Sequence, residues 1–109
     1  MRKIIKYDKE REIKFDFNSF CDFEKVSGVS FTHLDIDNLG LFEIRVLLWA
    51  GLKHEDPKLT TADAGIIIQN TVTAPESKQT LVTICADLSE AIKLSGVFQT
   101  PGEKPAGTR

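Results

Sequence analysis

Two histidines, His33 and His54, two cysteines, Cys21 and Cys85, and a scatter of carboxylates are the side chains of this 109-residue chain most able to do chemistry. Asp35-Ile36-Asp37-Asn38-Leu39-Gly40 begins like a calcium-binding loop, with acids at its first and third positions and glycine at its sixth. Leu39 stands at the fifth position and Val46 at the twelfth, so the bidentate acid that closes such a site is missing. Helix capping is the better account of these short polar residues. His54-Glu55-Asp56 offers a base and two acids, but no second histidine follows four residues on, as a zinc-binding helix needs. A cation at a helix C-terminus followed by a solvated acidic turn explains it. Cys21 has no histidine partner by spacing, and a buried thiol is inert. Gly-rich phosphate loops and Gly-x-Ser-x-Gly elbows are absent from the sequence. No catalytic residue, metal site or cofactor is therefore expected.

Charge narrows the partners. The net charge is −2 and the isoelectric point about 5.6, whereas phosphate binding wants a concentrated basic surface, so nucleic acid is not the expected partner. Residues 1–17 carry six basic and four acidic groups, a local +2, which an exposed mixed-charge hairpin explains. Cys21 and Cys85 stand 64 positions apart in apolar-patterned segments, where cysteine behaves as a small hydrophobe, and no Cys-x-x-Cys points to zinc or redox work. Met1-Arg2-Lys3-Ile4-Ile5-Lys6 returns to charge before a long apolar run forms, and no apolar stretch of the sequence approaches the length of a membrane span. The expectation is a cytoplasmic chain with neither secretory leader nor membrane span.

Positioning these residues takes one domain over 1–98, as expected for a chain with 41% apolar and 28% charged residues. Ile5 and Tyr7 alternate on one side, as do Ile13, Phe15 and Phe17, which predicts a hairpin over about 3–17 turning at Asp8-Lys9-Glu10-Arg11. Lys6, Lys14 and Asp16 fall on its solvent side. Asn18 is the expected cap of a first helix over 18–27, stopped by Gly28. A connector containing a core-directed Phe31 follows. Asp37 or Asn38 then caps a second helix over 39–54, whose apolar residues point in nearly every direction, the mark of a central helix. Trp49 belongs to that core rather than to a binding hot spot. Pro57 breaks the chain, and Thr60 with Asp63 forms a capping box for a third helix over 60–73. Thr73-Ala74-Pro75-Glu76 opens a fourth, over 76–95, with Leu81, Cys85, Leu88 and Ile92 in one stripe and Gly96 at its end. Residues 99–109 have no apolar period and are expected to be a flexible tail. The fold class is α+β, mostly helical, with the N-terminal hairpin on a bundle of about four helices.

One segment resembles a known family. Leu47-Leu48-Trp49-Ala50-Gly51-Leu52-Lys53-His54-Glu55-Asp56-Pro57-Lys58-Leu59-Thr60, continuing to Asp63-Ala64-Gly65, is similar to the signature of bacteriophage tail assembly chaperones, found also in prophages and gene transfer agents. Upstream, Phe15-Asp16-Phe17-Asn18, Cys21, Phe23-Glu24 and Gly28 resemble the same family, so the likeness spans about 13–70. Asn70 and Thr71 depart from it, standing where an acidic residue is often expected, and the last helix has no clear counterpart.

The resemblance implies a non-catalytic chain that binds the tape measure protein and keeps it soluble while tail tube protein subunits assemble around it. It implies work in the cytoplasm of an infected or lysogenic bacterium, absence from the mature virion, and in many members a longer form made by frameshifting near the end of the shorter. The physical task is to cover apolar helix faces, for which a groove receiving amphipathic helices suffices. Val82 and Leu94 lie off the 81-85-88-92 stripe and are expected to border that groove. Self-association stays open. A head–tail connector or minor tail protein, or a small antitoxin-like regulator, are the alternatives.

Overall fold

Alternation of apolar and charged residues near the start of the chain yields a two-stranded antiparallel sheet in the computed structural model, which describes residues 3–98. Strand β1 spans Lys3–Lys6 and β2 spans Glu10–Ile13, with Ile5 opposite Arg11 and Ile4 opposite Glu12. Ile5, Arg11 and Ile13 thereby share the core face, and Ile4 and Lys6 face out. The turn is shorter than the sequence pattern implied. Glu10 and Arg11 belong to β2, and buried Arg11 reaches back to Asp8 with Nε at 2.7 Å and Nη2 at 2.8 Å. A guanidinium on the core face needs this two-pronged partner, because an unpaired charge there is costly. Nor does the strand continue to Phe17, which is 68% exposed as the first residue of helix α1 (Phe17–Ser27).

Asp16, not Asn18, caps α1. Its carboxylate accepts from the Ser19 N–H at 2.9 Å while Ser19 Oγ takes the Asp16 N–H, so two free donors of the first turn are satisfied reciprocally. Gly28 ends the helix in the left-handed conformation with φ 75°, and Gly96 does the same for the last helix. Phe31 is buried as expected, held in a short 3-10 turn and tilted against the Phe20 ring at 4.6 Å.

Helix α2 spans Leu41–Leu52, shorter than 39–54 at both ends. Asp35, with Asp37 and Asn38, closes a separate 3-10 turn over Ile36–Asn38, and Gly40 is the true cap, its N–H donating to Glu43 Oε1 at 2.8 Å. Helices α1 and α3 (Thr61–Thr73) and strand β2 all pack on α2, which is the centre of the molecule. Val46, Leu47, Leu48 and Leu52 are completely enclosed. Burying each such side chain contributes about 1.5–3 kcal/mol, so α2 anchors the fold. Its backbone also serves: Gly51 O, left free at the helix end, accepts from Lys14 N–H at 3.0 Å.

Thr60 and Asp63 form the expected capping box of α3, with reciprocal bonds of 3.0 Å each. The fourth helix, α4, spans Leu81–Ser95 rather than 76–95. Thr80 and Thr83 make the reciprocal cap, and Ala74 to Ser77 form a turn instead, with Ser77 N–H on Ala74 O. Strand β1 packs on α4: Tyr7 Oη donates to Asp87 at 2.8 Å and Lys3 Nζ reaches Glu90 at 2.8 Å. The tail over 99–109 lies outside the described residues.

Candidate partner-binding groove

The polar candidates resolve into structural contacts. His54, just beyond α2, meets Glu12 of β2 with Nε2 3.1 Å from Oε1, and Glu55 accepts the Glu12 N–H at 3.0 Å. Ligating atoms of Glu12, His54 and Glu55 fall within 4.8 Å of one another, the one grouping among the described residues able to offer three ligands to a metal. Those contacts tie the post-α2 turn to the hairpin edge, and Arg11, whose pKa is raised first by Asp8 and further by Asp56 and Glu55, already supplies a neighbouring cation. Glu12 joined the turn only through strand pairing, which the sequence pattern around His54 did not reveal.

The cysteines are apart and free. Cys85 is half-buried and burial pushes its thiol up, away from reactivity. Cys21 is exposed on α1, not buried as its apolar neighbours implied. Trp49 packs at the edge of the core, and its Nε1–H donates to Leu59 O at 2.8 Å, pinning the connector between α2 and α3. Lys53 crosses the same ring at 4.8 Å and pairs with Asp22 of α1 at 2.8 Å.

The concave surface feature built by three helices is apolar. The all-round apolar pattern of α2 holds for its last turns, which are enclosed, but Leu41 and Phe42 in its first turn stand 71% and 48% exposed. They open a groove of about 360 Å³, walled by Leu41, Phe42, Ile44 and Arg45 of α2, by Gly65 and Ile68 of α3, and by Leu81 of α4. Leu41, Ile44 and Arg45 fall at i, i+3 and i+4, one face of α2, and Gly65 and Ile68 share one face of α3. Next to Leu81, Val82 is 78% exposed. Scattered apolar residues on a surface need no explanation, whereas a concave cluster shared by three helices makes a candidate docking site.

Arg45 is the one charged residue of that lining. Its guanidinium lies over the Phe42 ring, 5.3 Å from the centroid, and its stem presses on Gly65, where an added Cβ would sit 3.1 Å from Arg45 Cδ. Nε of Arg45 is shielded from solvent with no hydrogen-bond partner, and Arg45 forms no ion pair among the described residues. Of the residues expected to border a groove, Val82 follows the groove residue Leu81 on α4 but is not itself in the lining. Leu94 is half-buried about 18 Å further along α4, so the two are not brought together. Leu41, Phe42 and Arg45 were missed because helical periodicity reports how apolar a face is, not where its neighbours end. The signal available was an apolar helix too rich for the partners its own chain supplies.

Comparison of the chain with protein-family models, with curated proteins and with solved structures finds no match. Among the described residues no helix is long and apolar enough to cross a membrane.

Proposed function

We propose that this chain is a non-catalytic assembly chaperone that sequesters an apolar helix face of a phage tape measure protein until tail tube subunits enclose it. The observation that carries this reading is the concave groove between α2, α3 and α4, with Leu41, Phe42 and Leu81 exposed in its lining and Val82 exposed next to Leu81. A protein that keeps long amphipathic helices from aggregating needs such a surface, since it stabilises the soluble form of its client by binding it. The likeness of residues 47–65 to tail assembly chaperones supports the same reading from the sequence. That segment builds the second half of α2, the connector pinned by Trp49 and the start of α3, two of the three groove walls' supports.

Co-expression with the tape measure protein of the same phage or prophage tests it. The expected result is that the tape measure protein is soluble and co-purifies only when this chain is present, and that this chain is absent from purified particles by mass spectrometry. Insoluble tape measure protein together with recovery of this chain from finished virions would make it a structural tail part instead.

A further inference from the structure

Resting on that reading, we infer that the groove is built for an amphipathic helix bearing a carboxylate, whose apolar side chains fill the space between Leu41, Ile68 and Leu81 while its Asp or Glu pairs with Arg45. The apolar part of the case is the lining itself. The electrostatic part is specific: one cation stands in the lining, no acid does, and its Nε–H is withdrawn from water without an acceptor. With no acid in the lining to compete, a carboxylate entering the groove meets an uncompensated cation and gains a charge-assisted bond. The Phe42 ring lies against the guanidinium, and the missing side chain of Gly65 leaves room for the Arg45 stem to lie along α3. A carboxylate is therefore met by a guanidinium already held in place, which limits the entropy lost on binding.

Other occupants fit less well. The chain's own residues 99–109 contain no aromatic or large aliphatic side chain to enter the groove. A second copy docking groove to groove about a two-fold axis would bring Arg45 against Arg45 with no acid from either lining. A helix supplies what both lack, placing apolar anchors at i and i+4 and an acid one turn away on the same face.

The test uses the full chain and two fluorescent peptide probes, read by anisotropy. One is an apolar helical segment of the tape measure protein that contains Asp or Glu; the other is a designed Leu-rich amphipathic helix with a single Glu on its apolar border. Each is compared with its Gln (or Asn) counterpart, against the parent and against Arg45→Met, which keeps the stem on Gly65 and removes the charge. The expected result is that losing the charge on either side weakens binding about tenfold, and that losing both weakens it no further. Full affinity in Arg45→Met, or two losses that simply multiply, would overturn the inference while leaving the chaperone reading intact. Charge-dependent binding of the designed helix with no binding of any tape measure segment would uphold the groove's chemistry and remove the proposed client. No binding of either probe, or a concentration-dependent dimer abolished by Leu41→Glu, would overturn it as well. Circular dichroism and a melt of Arg45→Met separate loss of binding from loss of fold.

Discussion

At the scale of single residues, close approach decides most. Gly51 faces the hairpin, and a Cβ there would lie 2.8 Å from Ile13 Cγ2 and 3.0 Å from Phe15 Cζ. Alanine in a helix gains at most about 0.5–1 kcal/mol over glycine, the mid-helix value, and less in a last turn such as this. Here the overpacking cost of about 1–3 kcal/mol prevails, because both neighbours are fully enclosed. Gly51→Ala is therefore expected to lower the denaturation midpoint, measured by urea unfolding. An Ala50-Gly51 pair inside a helix is readable in the sequence, but the reason for it is a contact 36 residues away from Phe15 and is not. Asp16 gives a pH signature. Hydrogen bonds from the Ser19 N–H hold its carboxyl below the usual range, so its contribution is complete above the ordinary aspartate pKa of about 3.9 and fades as pH falls through the lower folded value. Asp16→Ala should cost about 0.5–2 kcal/mol at pH 7, and the gap between parent and variant should narrow below about pH 4.

At the scale of elements, local signals were legible and competing ones were misjudged. The Thr60–Asp63 box and the Gly28 and Gly96 stops depend on residues within a turn of each other, and all three stand as the sequence implied. Where two caps lay close in sequence, the nearer-looking one lost. Asp16 prevails over Asn18 because Ser19 can return its bond, and Thr80 prevails over the Thr73-Pro75 pattern because Thr83 can. Arg11 was legible in principle, since it stands two residues from Ile13 and so on the core face, but its charge made it look like a turn residue. The far end of the connector between α2 and α3 is held to α2 by the Trp49 indole, while its start is tied to the hairpin through His54 and Glu55. Trp49→Phe keeps an aromatic side chain but loses the indole N–H and part of the ring volume, leaving the Leu59 carbonyl without its partner. A loss of about 1–2 kcal/mol is expected, with amide hydrogen exchange accelerated over residues 54–60 more than elsewhere.

At the scale of the whole molecule, a core and a groove share one helix. The hairpin, α1 and α3 enclose the end of α2, and its first turn is left projecting beside α3 and α4. The sequence disclosed the hairpin, the four helices and their order, since periodicity and caps are local properties. It did not disclose the groove, because that depends on where three helices stop relative to one another. Composition alone could not separate an apolar side chain destined for the core from Leu41 or Val82, which the chain leaves open.

The most direct test is solubilisation by a chain with a charged groove. Leu41 and Val82 are exposed, so the double variant Leu41→Glu/Val82→Glu should match the parent in circular dichroism and in thermal midpoint to within about 0.5 kcal/mol of stability. Co-expressed with the tape measure protein and scored by sedimentation, it should leave that protein in the pellet where the parent keeps it in the supernatant. Equal solubilisation by the folded double variant would contradict the account, because the groove would then not be the surface that holds the client.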